Sequence, residues 1–180
     1  GGAVTTNNKK IYNKLETLRS IGIKRLNYHW KYNIDDLSLN FRLSDVQCAL
    51  GISQLKKLNK FIKRRKELSK FYDKNLKKIN KVNFVKHQKN YNSSYHLYFL
   101  KFKNFNQSKK DQFFKFMKKR KILLQYHYIP IFKFNIFNDK YIGKNSINFY
   151  NNTISLPIYF SLSKKNQLYI INSIKNFFNS

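Results

Sequence analysis

From Ser44 to Ile79 apolar residues recur at helical spacing for longer than most globular helices run, and no other stretch constrains the fold so tightly. The series is Val46, Ala49, Leu50, Leu55, Leu58, Ile62, Leu68, Phe71, Tyr72, Leu76 and Ile79, spaced as on an amphipathic helix. Ser44 followed three residues later by Gln47 forms a capping box, which places the helix start at Ser44. Its length predicts one break. Gly51 costs about 1 kcal/mol relative to alanine within a helix, so its presence predicts a close contact with another element. Cys48, on the same turns, reads as a small buried filler. A helix this long and one-sided bridges two regions of a protein or lies on a subunit interface.

Around it, shorter patterns alternate. Gly1-Gly2-Ala3-Val4, followed by Thr5-Thr6-Asn7-Asn8, reads as a strand entering a turn. No pairing partner follows closely, and the chain is expected to be a fragment. Asn8 to Arg19 has helical spacing, Gly22 is a stop, and 24–39 reads as an irregular loop rich in aromatic residues. After Lys81 the period shortens. Strands are expected at 95–102 and 122–128, the second halted by Pro130, and a brief one at Ile154-Ser155-Leu156 before Pro157. Helices are expected from Ser108 to Arg120, from Ser146 to Asn151, and from a cap at Ser163 to the end. Three strands alternating with three helices make an α+β unit over 81–180.

The chain has 180 residues, 42% hydrophobic and 17% aromatic, enough for a packed core despite its charge. No apolar run is long enough to span a bilayer. The single cysteine cannot form an internal disulfide, which fits a reducing, cytoplasmic compartment. His29, His87, His96 and His127 have no metal-ligand spacing with Cys48 or with one another. Lys and Arg number 37 against 8 Asp and Glu, a net charge of +29, which taken alone is the footprint of a nucleic-acid binder. The lysines are spread through nearly every segment rather than gathered on one, with short basic runs at 63–66 and 118–121. We therefore read them first as a solvated surface and only second as a phosphate groove.

With so few acids, paired-carboxylate chemistry has little support. Asp35 and Asp36 read as a turn. No nucleophile elbow and no glycine-rich phosphate loop occurs. His127, between two tyrosines at a strand end, is a polar candidate, as is His96, although strand-end histidines are commonly structural. Asn40 and Arg42 stand apart. They share a face of an extended segment just before a helix start, where an amide, a guanidinium and helix N–H groups suit a phosphate or carboxylate. The same residues would equally serve as a turn-closing Asn and a surface Arg.

The stretch Asn40 to Leu58, "NFRLSDVQCALGISQLKKL", closely resembles a motif of the DegT/DnrJ/EryC1/StrS sugar aminotransferases. Gly1-Gly2-Ala3-Val4 is similar to the tail of the Gly-Glu-Gly-Gly segment that follows that family's cofactor lysine. "LRSIGI" (18–23), "YHLY" (95–98), "HYIPI" (127–131) and "ISLPIY" (154–159) fall in the family's order, so the resemblance spans the chain. Within the family it is most similar to the members of pseudaminic acid biosynthesis that aminate a UDP-4-keto-6-deoxy-N-acetylhexosamine.

The resemblance implies an α/β fold, the C-terminal part of a fold-type I transferase that uses pyridoxal 5′-phosphate (PLP), with glutamate as amino donor. Residues 1–43 would be a remnant of the large PLP-binding domain, 44–80 a long connecting helix, and 81–180 a small C-terminal α+β domain. The Schiff-base lysine and the acid beneath the pyridine nitrogen would lie upstream, so this chain alone is expected to be inactive. Asn40 would reach the cofactor phosphate of the neighbouring subunit in a homodimer, Arg42 would support the same loop, and His127 and Tyr128 would lie near the nucleotide-sugar entrance. Three positions depart from the family pattern. Ile21 stands where histidine is frequent, Ser38 where glycine is, and Phe132 where histidine or tyrosine is. Two other functions stay open: a basic module binding nucleic acid, and a non-catalytic remnant of the aminotransferase.

Overall fold

The computed structural model describes residues 2–28, 30–85, 91–103, 105–137 and 143–179. They form two compact units, 1–57 and 58–180. His29 and His87, two of the four histidines considered above, lie outside the described residues.

The first unit opens with α1 (Lys9–Arg19). Asn8 caps it, its Oδ1 accepting the N–H groups of Lys10 and Ile11, as a short polar side chain does at a helix start. The strand expected before it is not formed: residues 2–6 have no ladder partner among the described residues. The expected irregular loop contains a hairpin, β1 (Ile23–Arg25) paired antiparallel with β2 (Tyr32–Ile34). Tyr28 and Trp30 stack at its tip, ring centroids 5.1 Å apart. Every residue of β2 is exposed, so no in-out alternation marks it in sequence. Next comes α2 (Asp45–Lys56), with both bonds of the Ser44–Gln47 capping box present.

The long helical pattern breaks once, at Lys57, whose N–H bonds back to the Gln54 and Leu55 carbonyls. There α2 ends and α3 (Leu58–Leu76) begins. Two expectations for α2 fail. Cys48 is exposed rather than buried, and a Cβ placed on Gly51 meets nothing within 4 Å. The reason is that no residue of α2 is buried: its apolar side chains find no cover among the described residues.

In the second unit, β3 (Val82–Phe84), β4 (Tyr98–Phe102) and β5 (Thr153–Leu156) form an antiparallel sheet in the order β3-β4-β5. Along β4, Tyr98, Leu100 and Phe102 point inward and Phe99 and Lys101 outward, the alternation of a sheet packed on one face. The inward face meets α3, α4 (Gln107–Lys119) and α6 (Lys164–Asn179) in one core. There Leu68, Tyr72 and Leu76 pack with Leu100, Phe113, Met117, Ile154, Ile171 and Ile174, each at most 1% exposed. Phe102, Phe105, Phe113, Phe177 and Phe178 add an aromatic cluster with edge and tilted contacts. α5 (Lys144–Asn152) runs directly into β5.

Three expectations shift. β4 starts at Tyr98, not Tyr95. Asn106, rather than Ser108, caps α4, its Oδ1 accepting the Lys109 N–H. The segment 122–128 forms no strand. Its backbone pairs with β5 through one bridge, the Ser155 N–H donating to the Gln125 carbonyl at 2.9 Å, while β3, unforeseen in the sequence, takes the sheet's other edge.

Candidate cofactor and substrate site

In the first unit the Asn40 loop is fastened to the end of α1 by backbone bonds. Ile21 N–H donates to the Leu39 carbonyl at 3.3 Å, Phe41 N–H donates to the Arg19 carbonyl at 3.0 Å, and Ser20 bridges Asn40 antiparallel. Ser38 Oγ donates to the Leu18 carbonyl at 2.6 Å. Gly22, at φ 74, lets the chain close: a Cβ there would sit 1.9 Å from the Asp36 carbonyl oxygen. Beside it Ile21 has φ 64, a left-handed conformation that is strained for a β-branched residue.

Asn40 Oδ1 accepts the Arg42 N–H at 3.2 Å. That turn fixes the carboxamide, and its Nδ2 has no partner among the described residues. Arg42 lines a cleft of about 710 Å³ with Arg19, Lys24, Arg25, Glu16 and Thr17. Arg19 lies 4.0 Å from Glu16, and Lys24 lies 3.4 Å from Asp35. Arg25 and Arg42 have no acidic partner among the described residues. The cleft is a basic pocket whose chemistry fits a phosphate. The expected help from the helix start is smaller than its position implies. Ser44 Oγ already takes the Gln47 N–H, Gln47 Oε1 takes the Ser44 N–H, and Asp45 places an acid in the first turn. Guanidinium groups supply the positive charge here.

In the second unit His127 Nδ1 and Ser155 Oγ share a hydrogen bond of 2.8 Å. Ser155 is buried on β5, so the imidazole is held against the sheet. Tyr128 is 73% exposed and lines a cavity of about 670 Å³ with Phe114, Tyr126, Ile129, Ile131 and Phe134. The walls are apolar and aromatic, suited to a planar ring.

The structure thus brings Asn40 together with Arg42, and His127 together with Tyr128, each pair within one unit. Sequence reasoning missed Arg19 and Arg25, which only the folding of the hairpin gathers beside Arg42. It also missed Ser155, Tyr126 and Lys110. Lys110 had a signal: it shares a helix face with Phe113 and Met117, and all three are 0% exposed. Among the described residues no group of three His, Cys, Asp or Glu side chains could hold a metal ion, and no helix is long and apolar enough to cross a membrane.

Residues 1–175 match the DegT/DnrJ/EryC1/StrS aminotransferase family. The chain is 37% identical over 176 residues to the UDP-4-amino-4,6-dideoxy-N-acetyl-beta-L-altrosamine transaminase of Campylobacter jejuni, covering 94% of this chain and 46% of that protein. Among solved structures, Helicobacter pylori PseC, an aminotransferase involved in the biosynthesis of pseudoaminic acid, superposes with TM-score 0.87 at 28% identity, covering 97% of this chain and 47% of that one. The PLP-form of a putative sugar aminotransferase from Streptococcus pneumoniae, Spr1654, shares the fold with TM-score 0.85 at 21% identity, covering 99% and 46%. The chain spans about half the length of the curated relatives it matches. Its mixed helix and sheet is part of the fold-type I architecture of PLP-dependent sugar aminotransferases, and the chain belongs to the DegT/DnrJ/EryC1/StrS aminotransferase family.

Proposed function

We propose that this chain is the C-terminal portion of a PLP-dependent aminotransferase. The complete enzyme moves an amino group from glutamate to C4 of a UDP-4-keto-6-deoxy-N-acetylhexosamine, supplying an amino sugar for surface glycans. The observation that carries this reading is 37% identity to the Campylobacter transaminase along 94% of the chain. In the same reading, residues 1–43 complete a large cofactor domain, 44–80 connect, and 81–180 form the small domain of a cytoplasmic homodimer.

PLP, when bound, acts as an electron sink for the carbon that exchanges nitrogen. This chain's own residues would bind and orient. Asn40 offers its Nδ2 to the cofactor phosphate, because its Oδ1 is already engaged by Arg42. Arg42 and Arg25 supply positive charge beside it. His127, oriented by Ser155, and Tyr128 face the nucleotide-sugar side, where the open aromatic cavity offers a stacking surface to a planar ring.

The test joins this chain to the remaining half of a family member and compares Asn40→Ala with the parent. Loss of a charge-assisted hydrogen bond weakens PLP retention roughly tenfold, read as cofactor absorbance remaining after dialysis. Unchanged retention removes Asn40 from the phosphate site.

A further inference from the structure

Lys110 is a basic side chain in an otherwise apolar place. It sits on α4 facing the core, 0% exposed, and has no carboxylate partner among the described residues. Its Nζ donates to the carbonyls of Tyr150 at 2.7 Å and Asn151 at 3.2 Å, the last turn of α5. It also lies 4.4 Å from the Tyr126 ring centroid and 4.5 Å from that of Tyr150. The two rings are 5.0 Å apart, so one ammonium engages both.

Tyr126 leads directly to the substrate-side cavity. Phe114 stacks on it at 4.8 Å and 27°, and both rings line the cavity with Tyr128. α4 holds Tyr126 through Lys110, whose ammonium engages the ring, while Gln107 on the same helix donates to Asp111 Oδ1 at 2.8 Å.

We propose that Lys110 is a positioning residue for this cavity: its ammonium holds Tyr126, and with it the aromatic wall beside Tyr128, in the place a ring-bearing substrate needs. The proposal rests on the substrate-side reading of His127 and Tyr128. A cation–π contact exists only while the amine is charged. Burial lowers the Lys110 pKa to about 8, with Asp111 on the same helix opposing that shift and Lys133 adding to it. The groups facing the amine are therefore Asp111 from α4, Lys133 from the 3-10 turn 131–133, Tyr126, and Tyr150 of α5, over whose ring Lys133 also lies at 4.9 Å. Raising the pH through this range discharges the amine and releases the ring, whereas arginine in its place would stay charged.

The experiment follows the ring resonances of Tyr126 by NMR in the 180-residue chain. The parent is expected to show one inflection near pH 8. K110R should abolish the inflection and keep the low-pH positions, whereas K110M should abolish it and shift the ring at every pH. Methyl signals of Leu100 and Ile154 report that each variant retains its core. A parent without the inflection, or K110R or K110M retaining it, overturns the proposal. Uridine 5′-diphosphate is then titrated. Binding that moves Tyr126 and Tyr128 should weaken about tenfold in K110M and be restored in K110R; equal binding in K110M overturns the positioning role. If the inflection behaves as expected but the nucleotide moves neither tyrosine, the hold on Tyr126 stands and the substrate-side reading fails.

Discussion

Replacing Tyr98 by phenylalanine should cost the second unit more than the same change at Tyr72, although Tyr72 is the more deeply buried. Tyr72 is 0% exposed and Tyr98 5%. Their rings pack 4.8 Å apart, and phenylalanine keeps that contact at both sites. What differs is the acceptor. Tyr72 Oη donates to the neutral Pro157 carbonyl at 2.9 Å, a bond with a net value of about 0.5–1.5 kcal/mol. Tyr98 Oη donates to Asp73 Oδ1 at 2.7 Å, and a bond to a half-buried carboxylate contributes about 1.5–3 kcal/mol. Y98F should therefore cost roughly 1 kcal/mol more than Y72F. With a urea m-value of about 1–3 kcal/mol/M, its midpoint falls lower by roughly 0.3–1 M. Urea melts of the two variants followed by near-ultraviolet circular dichroism measure this, and adding Asp73→Asn closes a double-mutant cycle. In that cycle the Tyr98–Asp73 pair should couple by about 1 kcal/mol or more. If Y72F proves equally or more costly, burial outweighs acceptor charge here and the reasoning fails.

Other perturbations have signs fixed by the structure. Lys110 has its pKa lowered from 10.5 to about 8 by burial, so between those values the unfolded chain holds the extra proton and stability should rise with pH, by at most about 1.4 kcal/mol per unit. Burial raises Tyr72 and Tyr98 above 10.0, so stability should fall again above pH 10; thermal melts from neutral to alkaline pH, with K110M lacking the rise, test both limbs. Ser44→Ala removes a capping box and should cost α2 about 1 kcal/mol, read as faster amide exchange in its first turn. Gly51→Ala should slow exchange across α2 by a similar free energy, since the new Cβ meets nothing within 4 Å. Ile21→Gly should relieve roughly 1 kcal/mol of backbone strain at φ 64, visible as greater protection of the Ile21 N–H bonded to Leu39.

What could be read from the sequence was whatever depends on neighbours along the chain. The capping box at Ser44, the helix from Asn8 and the Ser163 cap of the last helix are local, and each was legible from nearby residues; the single break followed from the length of the pattern, but its place at Lys57 did not. The β1–β2 hairpin was not, because its second strand is exposed throughout and shows no alternation. The segment 122–128 misled for the opposite reason: Ile122, Leu124 and Tyr126 alternate with exposed neighbours as a strand would, yet only Gln125 finds a ladder partner. The site divides in the same way. Asn40 and Arg42 stood out through their motif, whereas Arg19 and Arg25 became neighbours of Arg42 only once the hairpin closed.

The core residues all come from the second unit, beginning at Leu68, and among the described residues up to Lys57 only Gly22 is buried. A scanning calorimeter records chiefly the heat of breaking packed contacts. The endotherm of this chain should therefore match a protein about two thirds its length. Spectroscopic loss of α1 and α2 should begin at lower temperature and spread over a broad range, so no single melting temperature will describe the whole polypeptide.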